Sequence, residues 1–138
     1  MTQAFAEGMR SGSGSTGRIM NVVLWALQIA AAGMFLMAGS MKLAGNAQMV
    51  GMFEAIGLGQ WFRYLTGALE VGGAVMLLTP RTSGLGALML AGVMAAAVAT
   101  HLFIIGGSPL MAMTLLVVTS VVAWGRRGRM MHLLEGLR

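Results

Sequence analysis

Polar positions are sparse along this chain, and they cluster so as to cut it into long apolar runs. The first run extends from Ile19 to Met41, 23 residues without a formal charge. A membrane-spanning helix needs about 20 such residues. A secretory signal core, at about 7–15 residues, is far shorter. Lys42 ends the run, and Gly45-Asn46 reads as a helix stop. In residues 46–60 the pattern changes. Met49, Met52, Phe53 and Ile56 recur at helical spacing on one face, which predicts a short helix lying at the membrane surface. A second span is predicted from Trp61 to Thr79, closed by the turn Pro80-Arg81. From Thr82 to Gly125 there are 44 residues with no formal charge. As one helix they would extend about 66 Å, roughly twice the hydrocarbon core. Gly106-Gly107-Ser108-Pro109 breaks that stretch into a third span at 83–105 and a fourth at 109–124.

This pattern predicts an all-α integral membrane protein. The expected fold is an antiparallel four-transmembrane-helix bundle with a short interfacial helix between the first two spans. Residues 1–18 contain Ser11-Gly12-Ser13-Gly14-Ser15 and read as a flexible tail. Residues 19–125 form the membrane domain, and 126–138 a basic cytoplasmic tail. No internal repeat is visible.

Composition sharpens the class. Hydrophobic residues make up 57% of the 138 positions and charged residues 9%, against about 25% charged in a soluble domain. With a mean hydropathy of +0.81, the chain cannot clothe a water-facing surface, and its hydrophobicity excludes disorder. The absence of cysteine removes thiol redox chemistry, thiolate metal sites and cysteine-held clusters. The net charge of +5 does not point to nucleic acid, because no basic run interleaves with aromatics. The basic residues flank apolar runs instead. Arg10, Arg18, Arg81, Arg126, Arg127, Arg129 and Arg138 share one predicted side, and Lys42 and Arg63 the other. This bias predicts both termini in the cytoplasm.

Ionisable residues inside spans are costly and face a bundle interior or water, so each is a candidate. Glu70 lies about 13 Å into the second span at 1.5 Å per residue, near the midplane. Arg63, Thr66, Gly67, Glu70 and Ala74 form a helical stripe, and Gly67, Gly73 and Ala74 admit another helix closely. His101 falls near the outer end of the third span, where an imidazole can transfer a proton or bond a quinone carbonyl. Glu70 and His101 are therefore the candidate catalytic, proton-handling pair. Lys42, Arg63 and Thr100 lie at the same outer depth and are the candidate cofactor-binding groups. For each, a structural alternative stands beside the functional one: a carboxyl paired to lock the bundle, a histidine bonded to a backbone carbonyl, cations reaching the headgroups. Gln28 is expected to make an interhelical hydrogen bond. The stripe Met34, Met37, Met41 reads as packing rather than a copper site, and no metal site is expected.

Several segments resemble the DoxX-like family of small bacterial membrane proteins. Gly33-Met-Phe-Leu-Met-Ala-Gly39-Ser-Met-Lys42-Leu43 resembles its first-helix pattern, and Phe53 with Gly57-Leu58 the segment that follows. Gly67-Ala-Leu-Glu70-Val-Gly72-Gly73 and Met94-Ala-Ala-Ala97-Val-Ala-Thr100-His101 are similar to the second- and third-helix motifs. The resemblance implies a four-helix protein of the bacterial cytoplasmic (inner) membrane. Some family members are subunits of quinone-linked oxidoreductases, so it implies an accessory or quinone-interacting subunit of a membrane redox system. The chain has no electron carrier of its own. A diffusible quinone, not a covalently bound cofactor, would carry the electrons, with the bilayer, a membrane redox enzyme and other copies of the chain as partners. Two alternatives stay open: a structural or assembly subunit without activity, and a small proton-coupled transporter using Glu70.

Overall fold

Each predicted break in the apolar pattern coincides with a change of helix. A computed structural model describes residues 2–136, with side chains from 17 to 136, and these residues are all-α. Helix α1 runs Thr2–Ala44, α2 Ala47–Ile56, α3 Gln60–Leu78 and α4 Ser83–Thr100. A π-helical turn, His101–Ile105, extends α4, and α5 (Leu110–Gly125) and α6 (Arg127–Gly136) follow. The breaks are chemically marked. Asn46 caps α2, its Oδ1 accepting from the Gln48 N–H at 3.0 Å. Gly57, at φ +84°, closes α2 in the left-handed region that favours glycine. Gly106 and Gly107, both at positive φ, turn the chain before Pro109.

Helices α1, α3, α4 and α5 form an antiparallel bundle in which α1 packs on α3, α3 on α4, α4 on α5 and α5 back on α1. Its core holds Phe35 of α1, Leu77 of α3, Leu90 of α4 and Val122 of α5, each almost fully buried. Large apolar side chains such as Ile29, Val75, Leu88 and Val117 point outward and are exposed, as a lipid-facing surface requires. The contacts are set by small residues. A Cβ on Gly73 would lie 2.6 Å from Leu90 Cδ2, and one on Gly86 2.7 Å from Met76 Cβ.

Two helical segments are long and apolar enough to cross a membrane, Gly17–Ala44 and Ser83–Ile105. The chain is thus a multi-pass membrane protein. Helix α3 falls short because its 19 residues include Gln60, Arg63 and Glu70. Helix α5 has only 16 residues. It counts as a third candidate span only when joined to α6, from which it is bent by 61°. The apolar pattern predicts four spans; length and composition of the folded helices support two to three.

Other expectations shift in detail. α1 includes part of the segment read as a tail at 1–18, but the side chains of 1–16 lie outside the described residues, and that expectation falls largely there. The region read as a basic tail at 126–138 contains α6. The apolar face of α2 lines a cavity open on one side together with α3 and α4 residues, so it covers protein as well as facing the membrane surface.

Candidate functional site

The site begins with two glycines. Helices α1 and α3 cross closely at Gly39 and Gly67, where a Cβ on Gly39 would sit 2.9 Å from the Gly67 carbonyl oxygen. One turn beyond Gly39, Lys42 reaches across this contact, and its Nζ lies 3.0 Å from both Oε1 and Oε2 of Glu70. The pair is secluded: the Glu70 side chain is 2% exposed and that of Lys42 11%. A shared, hydrogen-bonded arrangement offsets the cost of removing both charges from water.

Arg63 is placed differently from the sequence expectation. It is buried, but it does not line the cavity. Its Nη1 donates to the Lys42 carbonyl at the end of α1, and its Nε donates to Gln60 Oε1 at 2.7 Å. Gln60 Nε2 in turn donates to the Val50 carbonyl at 3.2 Å. This chain of bonds ties α1, α3 and α2 together and gives a second donor to a helix-end carbonyl that otherwise accepts only the long bond from the Gly45 N–H, at 3.4 Å. Arg63 thereby fixes the backbone that carries Lys42.

Lys42 and Glu70 stand on the wall of a cavity of about 510 Å³. Phe35, Met94 and Leu115 line it from the bundle, and Met49, Met52 and Phe53 from α2. The α4 side contributes Gly92, Ala96 and Ala97. These small side chains leave the space open. Thr66, Thr100 and His101 add the other polar groups. The Thr100 hydroxyl donates to the Ala96 carbonyl at 2.8 Å. His101, partly buried in the π-helical turn, has Nδ1 3.1 Å from the Gly106 carbonyl oxygen. A carbonyl only accepts, so Nδ1 carries the proton and Nε2 of the neutral ring is an acceptor. Among the described residues no hydrogen bond or ion pair joins His101 to Glu70. The cavity brings Lys42, Glu70, Thr100 and His101 to one space; only the first two are in contact.

A second polar cluster, at the opposite end of the bundle, escaped the sequence reading in part. Gln28 makes the expected interhelical bond, its Nε2 donating to the Leu77 carbonyl at 2.8 Å. Its Oε1 also accepts from Arg126 Nε at 2.8 Å, and Arg126 Nη1 donates to Asn21 Oδ1 at 2.9 Å. Arg126 is 6% exposed, although sequence analysis counts it only as an orienting charge. The one available signal was its register, directly after an apolar run whose buried face it continues.

The DoxX-like family model matches residues 26–125, and the chain belongs to the DoxX-like family. That span covers both helices of the Lys42–Glu70 contact and the cavity residues of α2, α4 and the start of α5. No curated protein and no solved structure matches the chain significantly.

Proposed function

We propose that this DoxX-like protein is an accessory subunit of a membrane redox system that takes up a quinone in the cavity between α1, α2, α3 and α4. The observation that carries the reading is the cavity itself: an apolar space of about 510 Å³ with a charged hydrogen-bonding pair on one wall. Ligand sites combine apolar walls with a few placed polar groups in this way. A quinone ring and the start of its tail match the apolar lining. A carbonyl oxygen finds a donor in Lys42, whose ammonium carries three N–H groups. A quinol hydroxyl would find an acceptor in His101 Nε2, and Glu70 would be the carboxylate able to hold a proton, the electrons going to the partner enzyme. In this reading the bundle crosses the membrane four times, with both termini in the cytoplasm and the cavity in the outer half.

One observation favours a second reading. Both Glu70 oxygens are engaged by Lys42, as in a pair that serves only to lock α1 to α3.

Short-chain benzoquinone and naphthoquinone titrations into the purified protein separate the two. Saturable binding by thermal shift and tryptophan quenching supports the first reading. Gly92→Leu should abolish it, because a Cβ there meets nothing within 4 Å and the side chain grows into the space. Absence of saturable binding, or undiminished binding by the Gly92→Leu variant, overturns it.

A further inference from the structure

The end of the bundle opposite the cavity carries Arg18, Arg81, Arg126, Arg127 and Arg129, against a single described carboxylate, Glu135. Within it the turn between α3 and α4 and the side of α6 border an open groove of about 280 Å³, lined by Pro80, Arg81, Arg129, His132 and Leu133. We propose that this groove binds the phosphate headgroup of an anionic phospholipid.

Three observations converge on it. The first is donor chemistry. Two guanidinium groups and an imidazole line the groove, no carboxylate does, and neither arginine forms an ion pair among the described residues. Guanidinium donors match phosphate oxygens in geometry and charge. Glu135 is the one acidic group on α6. It is exposed and lies 4.0 Å from His132 Nδ1, outside the groove lining.

The second is preorganisation. Arg129 Nη1 donates to the Pro80 carbonyl at 3.0 Å, which holds the guanidinium at the groove and leaves its other N–H groups to donate. Packing positions α6 itself: a Cβ on Gly84 would lie 3.3 Å from Met130 Cβ. Less side-chain freedom is then lost on binding.

The third is depth. Trp124, at the end of α5, is 71% exposed, and the Arg127 guanidinium lies 4.1 Å from its ring centroid. In the four-span reading proposed above, on which this step rests, an exposed tryptophan beside arginine at the end of α5 marks the headgroup level. The groove begins just past it, at the turn that ends α3. Basic pockets at that level bind anionic headgroups. The exposed side chains of Met131 and Leu134 on α6 offer apolar surface to the adjoining acyl chains.

The experiment measures thermal stabilisation and native-mass-spectrometric binding of the detergent-solubilised full chain. The probes are short-chain phosphatidylglycerol, short-chain phosphatidylcholine and inorganic phosphate. Phosphatidylglycerol should bind saturably and outcompete phosphatidylcholine. At about 1 kcal/mol per arginine, the R81A/R129A variant should weaken it about thirtyfold. R81K/R129K keeps the charge, guards against loss of folding, and should still weaken binding because the forked donors are gone. R127A, which removes a cation outside the groove, should weaken affinity by no more than about fivefold, far less than R81A/R129A. Equal affinity for the two lipids overturns the proposal, as does an R127A loss as large as that of R81A/R129A, which would mean diffuse attraction. Inorganic phosphate binding as tightly as phosphatidylglycerol would also overturn it, the groove then being a site for the free ion.

Discussion

Removing Lys42 should damage this protein more than neutralising Glu70, although the two residues share one interaction. Lys42→Met strips the carboxylate of both its hydrogen bonds at a position only 2% exposed. Leaving a buried charge without its partner costs about 3–5 kcal/mol. Glu70→Gln keeps the shape and one acceptor oxygen. The ammonium it abandons sits on a flexible stem, is 11% exposed, and can turn toward the open side of the cavity. That change should cost about 1–3 kcal/mol, the range for an unmade hydrogen bond at a buried site. The double variant leaves no unpaired charge and should cost about 1–2 kcal/mol, near the buried polar amide's own penalty. The coupling energy is then at least about 2 kcal/mol, inside the range for residues in direct contact. Reversible unfolding in mixed micelles, followed by tryptophan fluorescence, measures all four proteins. Additive effects, with a coupling below about 0.5 kcal/mol, would show that the pair does not hold α1 to α3. A greater loss in Glu70→Gln than in Lys42→Met would refute the reasoning about burial.

Other outcomes follow from the same geometry. Gly39→Ala should destabilise by about 1–3 kcal/mol, because its Cβ would meet Val71 Cγ2 at 2.8 Å and a backbone oxygen at 2.9 Å. Gly33→Ala, where nothing lies within 4 Å, should leave unfolding unchanged or improve it by helix propensity, up to about 1 kcal/mol. Arg126→Ala should cost about 1–3 kcal/mol, chiefly by orphaning the buried Gln28 Oε1, since Asn21 is exposed, and Arg126→Lys should recover only part of that in the same unfolding assay. Reporter fusions after Arg138 and within the loop at Ser108 should signal cytoplasm and periplasm respectively; the reverse pattern would contradict the orientation drawn from the basic residues.

How far the fold could be read from the sequence depended on the kind of signal. Helix ends were legible where Asn46, Gly106 and Pro109 act locally, through capping and backbone conformation. The stripe on α3 was legible because helical spacing alone puts Arg63, Thr66, Gly67, Glu70 and Ala74 on one side; four of the five are buried and Thr66 is half-buried. The partner of Glu70 was not decided. Lys42, Arg63 and His101 all shared its depth, and only the crossing at Gly39 and Gly67 selects Lys42. Arg63 was grouped with the site from depth as well, whereas its guanidinium turns to the end of α1 and closes a helix terminus. Depth is a one-dimensional coordinate, and which groups meet at a given depth is set by azimuth and crossing distance. For Arg126 the one-dimensional reading failed in the other direction. An arginine just beyond an apolar run looks like an anchor, and nothing in the run announces that Gln28 and Asn21 wait for it across the bundle.

Glycine plays opposite parts in the two halves of the bundle, and that contrast explains why the cavity lies where it does. Toward the Arg126 end, glycines are contact points. A Cβ on Gly125 would strike Leu24 Cδ1 at 2.6 Å, and one on Gly84 the Arg126 carbonyl oxygen at 2.6 Å. Helices that approach so closely leave little room between them, and most of the polar groups there bond to one another, Arg126 Nη2 being the buried one left without a partner among the described residues. In the other half the close approach is confined to α1 and α3, at Gly39 and Gly67. On α4 the corresponding surface carries Gly92, Ala96 and Ala97, and a Cβ on Gly92 meets nothing within 4 Å. There the missing side chain is not filled by a neighbouring helix, and the space it leaves stays open beside Lys42 and Glu70. Under the proposed function, the small residues of α4 would help set the size of ligand admitted, while the charged pair is held by the α1–α3 contact. Substitutions on α4 should change ligand size preference without disturbing that pair, and substitutions at Gly39 or Gly67 should disturb the pair first.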